Sequence, residues 1–133
     1  MTRYLADTHI LIWTVNQPER LPPTVKGALS DPAGQACFSP VSIWEIAIKH
    51  SLGKLDLNGH SPEELLGQIL ASGFTCERPS VETIASSHRL PRRHKDPFDR
   101  LIVWQAISQG LTLLSVDSVA ALYAQDGLRH LCA

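Results

Sequence analysis

The chain has 133 residues and a mass of 14.6 kDa, with 44% hydrophobic and 19% charged residues. That balance excludes a disordered polypeptide and provides for one domain, residues 1–133, large enough to bury a core. The formal net charge of -1 excludes recognition of nucleic acid by global charge.

The three cysteines, Cys37, Cys76 and Cys132, form no C-x-x-C pair and have no histidine at zinc-finger spacing. Neither a zinc site nor a disulfide framework is expected, and a reduced cytoplasm fits best. The first residues, Met1 to Asp7, contain no long apolar stretch, so no secretory signal is expected. No run approaches transmembrane length.

In chain order, Arg3 to Ala6 reads as a short buried strand with Asp7 at its carboxyl end. Thr8 is placed to cap the helix that follows, His9 to Val15. Leu21-Pro22-Pro23 opens a helix to about Ser30, and Asp31-Pro32-Ala33-Gly34 is a turn. Ala36 to Ser39 is a second strand. Ser39-Pro40 is a cap followed by proline, the arrangement that starts a helix without wasting an N–H group. That helix runs to near Gly53 and carries Glu45. Ser61-Pro62-Glu63-Glu64 repeats the arrangement with a Ser-x-x-Glu capping box, and its helix ends at about Gly73.

Phe74 to Arg78 reads as a strand, Ser80 to His88 as a short helix and Leu90 to Lys95 as a basic loop. The third cap-plus-proline start is Asp96-Pro97, with Asp99 in the first turn beside the positive end of the helix dipole. Behind it Leu101, Ile102, Val103, Trp104, Ala106 and Ile107 form an apolar run that ends at Gly110. Leu111 to Ser115 is a strand with Asp117 just past it. Ser118 to Gln125 is helical, and Arg129 to Cys132 is a last strand. Trp13, Trp44 and Trp104 follow apolar faces and are expected in the core.

Strands alternating with helices give an α/β fold with a parallel sheet covered on both faces. In such sheets ligands bind beyond the carboxyl ends of the strands. Asp7 and Asp117 stand at such ends, and Glu45 and Asp99 stand in first turns of helices that begin at the same edge. Each acid also has a plain local role open to it. Asp7 suits a turn, Glu45 a Ser42-x-x-Glu45 capping box, Asp96 an N-cap and Asp117 a cap for the next helix. All four at one edge is less readily a coincidence. Clustered carboxylates require a cation, and hard oxygen ligands select Mg²⁺ or Mn²⁺. The chemistry of such a site is phosphoryl transfer to water.

Thr8 and Ser115 are candidates for supporting roles through their hydroxyls, and Asp96 through its cap. His9 reads as structural. Arg89, Arg92, Arg93, Lys95 and Arg100 are five of the 12 basic residues, within one short span that also holds His88 and His94. They form either a solvated loop or a rim contacting phosphates. The absence of a glycine-rich phosphate loop disfavours a nucleotide-binding P-loop.

Four blocks in order then resemble the PIN-domain family, and within it the VapC-type toxins of bacterial type II toxin–antitoxin systems. The blocks are Leu5-Ala6-Asp7-Thr8-His9, Val41 to Lys49, His94-Lys95-Asp96-Pro97-Phe98-Asp99-Arg100 and Leu114-Ser115-Val116-Asp117. The resemblance covers nearly the whole chain. It implies a three-layer α/β/α fold with four or five short, mostly parallel strands, and a metal-dependent endoribonuclease. Asp7, Glu45 and Asp99 would be the central metal-binding acids and Asp117 the fourth and more variable one. Arg92, Arg93, Lys95 and Arg100 would contact RNA. The resemblance also implies a homodimer and a VapB-like antitoxin as partner.

Two rival readings fit these residues less well. A phosphatase of the haloacid-dehalogenase type wants a second aspartate two residues after the first, and position 9 is His. A non-catalytic PIN-like protein-binding module would have lost acids that are all retained here.

Overall fold

Consecutive apolar residues near the ends of short strands set up the architecture. Side chains alternate across a strand, so one residue of each pair goes to either face of a sheet. Ala6, Phe38 and Leu114 enter one core, and Leu5, Cys37 and Leu113 enter the other. The computed structural model describes residues 1–116 and 118–131. The expected fourth acid, Asp117, and Cys132 at the end of the expected last strand lie outside the described residues.

Five parallel strands form one sheet: β1 (Thr2–Ala6), β2 (Gly34–Phe38), β3 (Thr75–Cys76), β4 (Thr112–Leu114) and β5 (Arg129–Leu131). The order across the sheet is β3-β2-β1-β4-β5. The chain therefore builds outward from β1 in one direction, then returns to lay β4 against the other side of β1. That reversal opens a crevice beyond the carboxyl ends of β1 and β4. Backbone bonds continue the ladder to this edge: Asp7 N donates to Leu114 O at 2.9 Å, and Ser115 N to Leu131 O at 2.9 Å.

The helices are α1 (Thr8–Asn16), α2 (Pro23–Leu29), α3 (Pro40–Ser51), α4 (Pro62–Ala71), α5 (Val81–Ser86), α6 (Pro97–Gln109) and α7 (Val119–Leu122). Residues of α1, α2 and α4 fill the first core, and those of α6 and α7 fill the second. Helix α3 contributes Ile46 to the first core and Val41 to the second, so it closes the end of the sheet where the acids stand. This is the expected α/β/α layering, with every strand pair parallel.

Helix starts follow the expected chemistry. Ser39 caps α3, Ser61 and Glu64 form a full capping box on α4, and Asp96 caps α6, each with proline next in sequence. Helix α1 differs from expectation. Its cap is Asp7, whose Oδ1 accepts from Ile10 N at 3.0 Å, and Thr8 is the first helical residue. The carboxylate reaches the amides of the first turn, which turns the Thr8 hydroxyl toward another partner. Gly110 ends α6 with φ 68°, the left-handed geometry a glycine adopts without penalty.

Several elements are shorter than expected. The strand expected over Phe74 to Arg78 is the two-residue β3, prolonged by Glu77 N donating to Phe38 O. The helices expected over Ser80 to His88 and Ser118 to Gln125 each split into a short α-helix and a 3₁₀ turn, at Ser87–Arg89 and Ala124–Asp126. No helix among the described residues is long and apolar enough to cross a membrane.

The basic loop is shaped from two sides. Tyr123 is fully buried, and its hydroxyl accepts from Arg93 N at 3.2 Å and His94 N at 3.0 Å. Arg100 donates to Pro91 O at 2.9 Å and Leu90 O at 3.1 Å. Replacing Tyr123 by Phe leaves two amides without that acceptor and is expected to lower stability by about 1–3 kcal/mol in urea unfolding. A wild-type midpoint for that variant would show that the loop is held by other means.

Candidate metal centre

Glu45, expected in the first turn of α3, lies in its second turn, because the helix already begins at Pro40, and the start of α1 reaches it there. Glu45 lies on the inner side of α3, and its side chain is only 3% exposed. A carboxylate buried this deeply is tolerated only with partners for its charge and lone pairs. Thr8 supplies one: its Oγ1 donates to Glu45 Oε1 at 2.6 Å. Lys49, one helical turn further along α3, supplies the other, donating from Nζ to Glu45 Oε2 at 2.5 Å. The Ser42-x-x-Glu45 capping box is therefore not formed. Ser39 holds the cap, and the Ser42 hydroxyl is buried without a partner among the described residues.

Asp96 and Asp99 come from the start of α6. Asp96 uses Oδ1 to accept from Phe98 N at 2.8 Å and Asp99 N at 3.3 Å, while its Oδ2 lies 3.9 Å from Lys49 Nζ. One oxygen caps the helix and the other turns to the cluster. His94 Nδ1 accepts from Asp96 N at 3.1 Å, so its lone pair faces the helix start. The same nitrogen lies 3.9 Å from Asp99 Oδ2.

Glu45, Asp96 and Asp99 each offer an oxygen within 4.8 Å of the others. Asp7, with Asp99 and Ser115, lines one small hollow between α6 and the ends of β1 and β4. Ser115 is buried there. The reversal in strand order thus brings together Asp7, Glu45, Asp96, Asp99, Thr8 and Ser115 from four separated stretches of sequence.

The donor set fits a small divalent cation. Oxygens about 2.1 Å from an octahedral ion lie about 3 to 4.2 Å from one another, so the 4.8 Å spread needs only a slight contraction. All the acidic donors are hard oxygens, with no thiol among them. Asp96, expected only in a supporting role, is as close to the cluster as Asp99.

Lys49 was not singled out from the sequence, although the Glu45-x-x-x-Lys49 spacing puts the pair on one helix face. Burial pulls its pKa down. The hydrogen bond to Glu45 and the charges of Glu45, Asp96 and Asp99 together outweigh that, and the net direction is up. Lys49 is therefore a cation at neutral pH.

The aromatic rim departs from expectation. Trp44 is 61% exposed and stands edge-on to Phe98, ring centres 5.2 Å apart. Its neighbours Val41, Ser42, Glu45 and Ile46 take the buried face of α3, and Trp44 is left on the flank of the acid cluster. Trp13 and Trp104 pack against the two cores, Trp13 beneath the Arg20 guanidinium at 4.2 Å and Trp104 donating to Ser86 Oγ at 3.0 Å.

Of the basic residues, Arg93 makes a two-pronged pair with Asp126, at 2.8 and 3.1 Å. That pair raises the pKa of Arg93 and lowers that of Asp126, in each case chiefly through the hydrogen bond between them. Arg100 is engaged with loop carbonyls, while Arg92 and Lys95 are exposed beside the start of α6.

The model of the PIN-domain family matches residues 4–125. The chain belongs to the PIN-domain family. No curated protein matches it by sequence. Solved structures share the PIN fold at low identity. VapBC2 from Rickettsia felis, bound to a DNA fragment from its promoter, is 16% identical with a TM-score of 0.70, covering 98% of both chains. VapBC-1 from nontypeable Haemophilus influenzae is 18% identical with a TM-score of 0.70 and the same coverage. DNA-bound VapBC from Salmonella typhimurium is 16% identical with a TM-score of 0.65, covering 99% of this chain and 98% of that one.

Within this PIN domain, Thr8→Val removes the donor to Glu45 Oε1 while keeping the side-chain shape. It is expected to cost about 1–3 kcal/mol in chemical unfolding, and Thr8→Ser should recover most of it. Equal stability of Thr8→Val and wild type would show that Glu45 does not depend on that hydroxyl.

Proposed function

We propose that this protein is a metal-dependent endoribonuclease of VapC type, the toxin of a type II toxin–antitoxin pair. The observation that carries the reading is the convergence of Glu45, Asp96 and Asp99 within 4.8 Å, beside Asp7 at the β1/β4 reversal. Membership of the PIN family supports a nuclease.

In this reading Asp7, Glu45 and Asp99 hold Mg²⁺ or Mn²⁺, with Asp117 as the fourth acid. Such an ion supplies Lewis acidity at a phosphate oxygen and acidifies the attacking water. Thr8 fixes the orientation of Glu45, and the Asp96 cap fixes Asp99 at the mouth of α6. Ser115 supports the floor of the hollow. Arg92 and Lys95 contact the RNA backbone, while Arg93 and Arg100 shape the loop that presents them and contact phosphates at its edge.

The solved neighbours are VapBC complexes, which supports a VapB-like antitoxin as partner. We further assign a homodimer, a single PIN domain over residues 1–133 and action in the cytoplasm.

Asp7→Asn and Asp99→Asn test the reading. Each should keep the circular dichroism spectrum and lose metal-dependent RNA cleavage, by about 10³-fold for a loss of some 4 kcal/mol of transition-state stabilisation. Undiminished cleavage by a contaminant-free variant would refute the assignment. A protein that takes up no Mn²⁺ yet binds an antitoxin tightly would instead be a non-catalytic module.

RNA affinity of the Asp7→Asn protein should fall as salt rises. Lys95→Ala and Arg92→Ala should each reduce the slope of log affinity against log salt by about 0.7, as expected when one single-strand phosphate contact is lost. An unchanged slope would remove that residue from the interface.

A further inference from the structure

Acids held this close repel one another, and Glu45 is the most deeply buried of the three in the cluster. One cation reaches across that cluster among the described residues. Lys49 Nζ touches Glu45 Oε2 at 2.5 Å and approaches Asp96 Oδ2, on a different helix, at 3.9 Å. Thr8 donates a neutral hydroxyl to Glu45, and His94 Nδ1, which accepts from Asp96 N, lies 3.9 Å from Asp99 Oδ2 on the α6 side alone.

We propose that Lys49 is a built-in counter-cation that a divalent ion displaces from Glu45, so that this lysine sets the metal affinity of the site. The proposal rests on the metal-site reading above. Glu45 Oε1 accepts from Thr8 and Oε2 from the Lys49 ammonium, so a divalent ion that takes Oε2 meets the ammonium directly. A divalent ion and an ammonium cannot share that oxygen without strong mutual repulsion. The lysine has a way out, because its side chain is 33% exposed and its four-carbon stem is flexible. An ordinary surface pair four residues apart on a helix would not bury the acid or reach a second helix. In the metal-free protein the lysine keeps the acids gathered. In the loaded protein its charge is redundant, and its removal favours the loaded form.

The test is Mn²⁺ titration by calorimetry, with thermal unfolding with and without Mn²⁺, on wild type, Lys49→Met and Lys49→Arg. The Met variant should bind Mn²⁺ about tenfold more tightly. Its metal-free Tm should fall by about 5 °C, and saturating Mn²⁺ should close most of that gap. Lys49→Arg, which keeps the charge, should stay close to wild type in affinity. A lysine that only props up the site would behave oppositely, with Mn²⁺ binding weakened along with Tm. Equal or weaker binding by Lys49→Met, with wild type still taking up Mn²⁺, would overturn the proposal alone. Absence of Mn²⁺ uptake by wild type would overturn the metal site together with it. Should Lys49→Met fail to fold, Lys49→Gln keeps a donor to Glu45 without the charge and is read by the same criteria.

Discussion

The structure depends on neutralising a carboxylate that has almost no water around it. Glu45 is buried where α3 closes the end of the sheet, and an isolated charge there would cost several kcal/mol. The Thr8 hydroxyl and the Lys49 ammonium together satisfy both of its oxygens. The first of these ties α3 to α1. The approach of Lys49 to Asp96 ties α3 to α6. The same contacts that make the burial of Glu45 tolerable therefore also fix the starts of α1 and α6 against the middle of α3.

Strand order explains why these helix starts meet at all. With β4 returning to the free side of β1, the chain leaves the sheet in opposite directions at that point and cannot cover the gap between them. Asp7 and Ser115 stand on either side of the gap. Helices α1, α3 and α6 all begin at this edge, so their positive ends favour the acids placed there. The side chains of Asp7 and Asp96 serve twice, each capping a helix with one oxygen and belonging to the acidic edge as well.

Much of this was legible in the sequence because it is local. Ser39-Pro40, Ser61-Pro62 and Asp96-Pro97 announce their helices through chemistry contained within a few residues. The alternation of strands with helices sufficed to predict a parallel sheet covered on both faces. What could not be read depends on partners distant in sequence or on which side of a helix is covered. The apolar run of α3 gives no hint that Trp44 faces outward while Glu45 faces in. The pairing of Arg93 with Asp126 and the seat of the basic loop on Tyr123 join residues some thirty positions apart. The contact of Thr8 with Glu45 spans 37 positions, and only that contact shows why the cap of α1 falls to Asp7. Lys49 could have been found from its spacing to Glu45, yet its reach to Asp96 needed the fold.

The central claim is that Asp7, Glu45 and Asp99 surround a single place for a divalent ion. Anomalous diffraction from crystals grown with Mn²⁺ tests this most directly. The predicted result is a strong peak enclosed by those carboxylates at the carboxyl edge of β1, with the Lys49 ammonium moved off Glu45. A fully occupied Mn²⁺ elsewhere on the molecule, with no peak among these acids and Lys49 still on Glu45, would contradict it.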